Sequence, residues 1–236
     1  PIPHPHYTHT LTHRYALGDL ASATKLFREA HRGRRTALGP NDKASLASAS
    51  CLAQMLRTQG DLAGAEPLLR AVLSGRRATL SSSHEDTLRS INHLANVLYE
   101  RGKLDEAAAL YAEALHTCRA SLPPRHPLTL ISVNNIGCVL QAQGRMAEAE
   151  ACLREGLLDS RDLLGGDHID TRISSSNLAA CLSKDGKVDE AQRYMRDAFA
   201  GVVHARKALG DAHPRVTYLL EGLATQREEA APAALM

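Results

Sequence analysis

The sequence predicts an all-α chain, a right-handed superhelical α-solenoid of stacked antiparallel helix pairs, on three observations. Glycines recur every 42 residues, at Gly18, Gly60, Gly102, Gly144 and Gly186. Small and large apolar residues keep register with them: Ala23, Ala65, Ala107, Ala149 and Ala191 five positions on, and Phe27, Leu69, Tyr111, Leu153 and Met195 nine positions on. A third column, two positions after each glycine, is aliphatic: Leu20, Leu62, Leu104, Met146 and Val188. Between the glycines apolar residues return at three- and four-residue steps, the period of a helix buried along one stripe. Self-similarity at a fixed period of this length is the signature of stacked supersecondary units.

Each unit reads as two helices. In the fourth, Leu130, Val133, Ile136, Gly137 and Leu140 form one stripe, and Gly144 ends that helix as a C-terminal glycine does. Met146, Ala149, Leu153, Leu157 and Leu164 form the second stripe, and the alanine lets the pair approach closely. One pair cannot bury both faces alone, so neighbouring pairs must stack. The repeats fall at 1–42 (degenerate), 43–84, 85–126, 127–168 and 169–213, followed by a capping helix at 214–230 and a tail at 231–236, in a single array. In the first repeat a helix over 6–17 starts late because of Pro3 and Pro5, and Arg14 interrupts its stripe. The fifth carries three extra residues, expected late in its second helix. Asp42, His84, His126 and His168 share a linker column, with Pro127 suited to a first helical turn. Arg35, Arg77, Arg119, Arg161 and Arg206 share another, near second-helix C-termini, where cations are favoured.

Composition narrows the function. Apolar residues make up 44% but aromatics only 3%, with no Trp, so the core is built from Leu, Ala and Val. Net charge is +2 with both signs interspersed and no dense Lys/Arg patch, which argues against nucleic acid as a partner. No apolar run is long enough to cross a membrane, and PIPHPHYTHT lacks the apolar segment of a signal peptide. Five cysteines, Cys51, Cys118, Cys138, Cys152 and Cys181, with no C-x-x-C pair, fit reduced thiols in a reducing compartment such as the cytoplasm. His4, His6, His9 and His13 cluster, but without Cys or carboxylate at ligand spacing they predict no metal. There is no G-x-x-x-x-G-K-[ST], H-E-x-x-H or G-x-S-x-G, and Asp105–Glu106 and Asp189–Glu190 suit helix N-termini rather than catalysis. No enzyme and no cofactor is expected.

The stretches TLRSINHLANVLYERGKLDEAAALYAEAL and HPLTLISVNNIGCVLQAQGRMAEAEACLREGL resemble the tetratricopeptide repeats of the kinesin light chain family, whose units are longer than the usual 34 residues. The resemblance covers nearly the whole chain and is clearest over 44–200. No heptad region for joining a motor heavy chain is present, so it does not imply a motor subunit.

In this architecture first helices line a concave groove, and the stripe opposite the apolar one faces it. That stripe carries Gln54 and Arg57; Arg89, Asn92, His93, Asn96 and Tyr99; Asn134, Asn135 and Gln141; and Asn177 and Lys184. An amide offers an acceptor and two donors, so a ladder of Asn can satisfy an extended peptide backbone whatever its side chains. The resemblance implies that role for Asn92, Asn134, Asn135 and Asn177; the competing reading is that these Asn stabilise repeat packing. Arg57, Arg89 and Lys184 against Glu100 favour an acidic peptide. The expected partner is therefore a protein or peptide segment gripped in the groove. The alternative is a scaffold subunit of a large complex, meeting neighbours through its outer faces and ends.

Overall fold

The computed structural model describes residues 20–123, 125–210, 216, 219 and 220. Among them the chain is all-α, of the helical-repeat class: α1 (Leu20–Leu38), α2 (Lys43–Thr58), α3 (Leu62–Thr79), α4 (Glu85–Glu100), α5 (Leu104–Ser121), α6 (Pro127–Ala142), α7 (Met146–Leu164), α8 (Ile169–Lys184) and α9 (Val188–Leu209). The helix expected at 6–17, the histidines at 4, 6, 9 and 13, and the tail lie outside the described residues, as does the capping helix except for Val216, Leu219 and Leu220. The helices form two compact units divided between Leu122 and Pro123. In the first, α1 to α5 pack each on the next, and α2 also meets α4. In the second, α6 to α9 do the same, and α6 also meets α8.

The turn inside each hairpin follows from its glycine. Gly144 has φ +78°, and Gly60, Gly102 and Gly186 match it at +79°, +75° and +78°. The left-handed residue turns the chain so that the Arg145 amide donates back to the Leu140 carbonyl at 2.9 Å, closing the helix end. The same bond runs from Asp61 to Leu56, Lys103 to Leu98 and Lys187 to Leu182. Open space surrounds a Cβ built on these glycines, so backbone conformation and not crowding selects the residue. The linker column starts the next first helix. Asp42 Oδ1 accepts from the Ala44 amide at 2.8 Å, and the Nδ1 atoms of His84, His126 and His168 accept from Asp86, Leu128 and Asp170 at 3.1 to 3.2 Å. These linker residues are N-caps.

The core lies where the columns predict. Ala65, Ala107 and Ala149 are fully buried, as are Leu69 and Leu153. The aliphatic column two after each glycine lies at the core's margin: Leu62, Leu104 and Met146 are half-buried, Met146 packing against the cluster of Ala149 and Leu153, and Val188 is 45% exposed. These residues open the second helix of each pair. At the end of the second unit Val216 and Leu219 are buried with Ile169, Ala198 and Val202. Helix α9 has 22 residues against 19 in α7, and so holds the three extra residues.

Ion pairs join neighbouring hairpins in a pattern that repeats between the units. In the first, Glu66 of α3 receives Lys103 Nζ at 2.9 and 3.0 Å, Arg70 Nε at 2.9 Å and the guanidinium of Arg101, while Arg70 also reaches Glu106. In the second, the residues two repeats on do the same: Glu150 receives Lys187 and Arg154, and Arg154 reaches Glu190. The arginine column adds Arg77 on Glu113 and Arg161 on Asp197. Those arginines therefore brace successive second helices, beyond any helix-dipole role. Glu106 and Glu190 likewise hold cations.

Candidate functional site

The first-helix stripe divides between the two units. In the first, α2 supplies Gln54 and Arg57, and α4 supplies Arg89, Asn92, His93, Asn96 and Tyr99. The two helices are tied across this face by Arg57 Nε donating to Glu100 at 2.8 Å. Arg89 is exposed and pairs with Glu85 one turn back, at 3.2 Å. The net positive face expected from Arg57 and Arg89 is thus largely neutralised by two carboxylates, one of which, Glu85, the linear reading did not count.

The amides differ in availability. Asn92 is only 4% exposed, and its Nδ2 donates to the Leu88 carbonyl at 3.1 Å. It serves its own helix, as Asn does when its side chain reaches a nearby backbone group. Asn96 is half-buried and accepts from the Tyr111 hydroxyl of α5 at 2.5 Å. Two other atoms are different: Gln54 Nε2 and His93 Nδ1 are buried and have no hydrogen-bond partner. Burial and the charges of Arg57, Arg76 and Arg89, in that order, hold the His93 imidazole down at about 4, so it is neutral at pH 7.

In the second unit α6 carries Asn134, Asn135 and Gln141, and α8 carries Asn177 and Lys184. Asn177 Nδ2 donates to Asn134 Oδ1 at 3.2 Å, so these two amides bridge consecutive first helices. Asn134, Asn135, Gln141 and Asn177 are half-buried, and Lys184 is exposed. This bridge accords with the packing reading of the asparagines. The linear reading missed Arg76 of α3, a second-helix residue 9% exposed among first-helix groups. Its column reads Arg34, Arg76, Cys118 and Ser160, and a charge that is kept in two repeats and lost in the next two was the signal available for it.

Comparison with known proteins bears on this geometry. Models of the tetratricopeptide repeat match residues 11–42, 44–120, 86–157 and 128–201. The chain belongs to the tetratricopeptide repeat family. It also resembles kinesin light chain repeats. The crystal structure of nearly identical TPR-like repeats of a kinesin light chain from Podosopora anserina superposes with a TM-score of 0.69 at 24% identity, covering 85% of this chain and 94% of that one. BtubC (BKLC) from P. vanneervenii gives 0.69 at 21%, covering 88% and 81%. A Rap protein complexed with Competence and Sporulation Factor gives 0.70 at 13%, covering 96% and 65%. At these identities the likeness is one of fold. Among curated proteins nothing matches. Tetratricopeptide repeats form a non-enzymatic interaction-scaffold family, and this chain is a protein–protein interaction module. Among the described residues no helix is long and apolar enough to cross a membrane.

Proposed function

We propose that this tetratricopeptide repeat protein grips an extended peptide segment of a partner protein, and that the α2–α4 face of the first unit is a principal gripping surface. One observation carries the reading: Gln54 Nε2 and His93 Nδ1 are buried polar atoms without a partner, on adjacent first helices, among the residues the sequence singled out. Leaving such a group unsatisfied costs about 1–3 kcal/mol, which a ligand's carbonyl or amide would recover. An extended backbone offers both groups at every residue. The α6–α8 face carries Asn134, Asn135, Asn177, Gln141 and Lys184 as half-buried or exposed polar groups that a second stretch of the same peptide would meet.

The test is a random-peptide display selection on the full chain, with hits measured by fluorescence anisotropy against a variant carrying Gln54→Ala and His93→Ala. Truncating orphaned groups removes their desolvation cost, so the variant is expected to fold with unchanged helicity while peptide affinity falls at least about tenfold. A selected motif whose affinity is indifferent to both substitutions would leave the scaffold alternative, with contacts on outer faces and ends.

A further inference from the structure

Side chains that meet between successive first helices stand 43 residues apart. Arg57 donates to Glu100 between α2 and α4, and Asn177 donates to Asn134 between α6 and α8. These two contacts lie at different turns of their helices: Arg57 shares a column with Gln141, two turns beyond Asn134. A constant interval at different turns is the mark of helices that run in the same direction. The row between them is therefore reached by stepping one turn, four residues, along both members of the asparagine pair. In the second unit that row is Cys138 of α6 and Cys181 of α8, at the same interval of 43.

The packing agrees with the register. Cys181 belongs to the apolar cluster of Leu140, Leu153 and Leu178, Cys138 packs against that cluster, and the Cys181 thiol acts electrostatically on Cys138. Neither position calls for a thiol, since the column of Cys138 holds Gln54 and Asn96, and that of Cys181 holds Met55, Val97 and Val139. Cys138 is half-buried and Cys181 is buried. Burial pushes the Cys138 thiol up to about 12 and raises Cys181 as well. Thiols with no stabilised thiolate react slowly, but a disulfide formed from them is correspondingly hard to reduce. Cys181 Sγ donates to the Met146 carbonyl at 3.9 Å, a weak bond that a disulfide gives up.

We propose that Cys138 and Cys181 form a reversible oxidation site, at which a hydroperoxide ties α6 to α8 through a disulfide. The more exposed Cys138 attacks a peroxide oxygen as thiolate. The O–O bond breaks, Cys138 becomes a sulfenic acid, and with hydrogen peroxide the first water leaves. Cys181 Sγ then attacks the sulfenic sulfur; the S–O bond breaks, and the hydroxyl leaves with the Cys181 proton as a second water. Two thiols give up two electrons and two protons, and the peroxide takes them. The link fixes the spacing of the two first helices beside the Asn134–Asn177 bridge, whether or not that face also holds a peptide.

The test begins with the full chain treated with hydrogen peroxide. Remaining thiols are blocked under denaturing conditions, and the chain is digested with trypsin without reduction. Each cysteine falls in its own tryptic peptide. Mass spectrometry is expected to show residues 126–145 joined to 173–184, a species released by dithiothreitol. It should be absent from Cys138→Ser and from Cys181→Val, which places the residue type of Val97 and Val139 in that column. Oxidation of the unfolded chain in urea is the control, expected to link Cys138 mostly to Cys152, its nearest neighbour in sequence. A native chain that links Cys138 to Cys152 overturns the site. So does sulfinic acid at Cys138 with Cys181 still reduced, or a chain that peroxide leaves unchanged. The linked chain should also unfold at a higher urea concentration than the reduced one, because the link closes a 43-residue loop. Unfolding at the same or a lower concentration would show a link that does not fit the native spacing, and would overturn the proposal.

Discussion

Replacing Glu66 by Gln tests whether charge or shape holds the first unit's hairpins together. The Glu66 side chain is 8% exposed and faces Lys103, Arg70 and Arg101. Burial alone would raise its pKa, but hydrogen bonds from Lys103 and Arg70 and the nearby Arg101 charge outweigh it and hold the carboxyl at about 2, against an ordinary 4.5. That difference is equivalent to about 3 kcal/mol at neutral pH. The cations' side chains are between 33% and 43% exposed, and solvent screening reduces the figure to about 2 kcal/mol. A depressed carboxyl contributes stability that is full above 4.5 and is lost as pH falls through about 2. Glu66→Gln keeps the volume and removes the charge. Urea unfolding followed by circular dichroism is expected to show a deficit of about 2 kcal/mol at pH 7, shrinking below about 1 kcal/mol at pH 3. An equal deficit at both pH values would overturn the electrostatic account and assign the loss to packing.

Three further outcomes follow from the caps, the turns and the buried imidazole. His126→Ala should cost about 1 kcal/mol in urea unfolding, and His126→Asp, with the residue type of Asp42, should not; equal losses would remove the capping role. Gly144→Ala, forced to φ +78°, should cost about 1 kcal/mol or more, and Gly144→Asn less, since Asn tolerates that conformation; a neutral alanine would contradict the turn geometry. His93 titrates at about 4 in the folded chain against an ordinary 6.5, so the unfolded chain takes its proton first. Its contribution is complete above 6.5 and is lost as pH falls to about 4, a drop of about 3 kcal/mol, and His93→Asn should flatten that limb of the urea-measured stability curve.

Residues that repeat every 42 positions are the legible part of this chain. Gly144 and Ala149 can be placed from spacing alone, because a left-handed turn and a close helix approach each tolerate few residue types. The histidine linkers are legible in position but not in role: a capping imidazole looks like any linker until the next amide is placed. The linear reading of Asn92 fails for a reason the helical period explains. A two-faced helix has a core stripe and an open stripe, but a first helix in an array also flanks the next first helix. Asn92 falls on that third surface with Ser50 and Ser176, all of them buried. The ion network escapes the sequence because Glu66 and Lys103 sit 37 residues apart, a distance no helical wheel displays. Arg76 escapes it because it belongs to a second helix yet neighbours first-helix groups.

The ion pairs that join one hairpin to the next lie toward solvent, whereas the apolar core runs both within and between hairpins, Leu140 and Leu153 sharing one cluster with Leu178 and Leu182. Dissolved salt therefore acts on the two kinds of contact in opposite senses. Ions screen the bonds from Arg77 to Glu113 and from Arg161 to Asp197, while strongly hydrated salts strengthen apolar burial. Ionic strength therefore trades one part of the coupling between repeats against the other: raising it weakens the ion pairs while the shared apolar core holds.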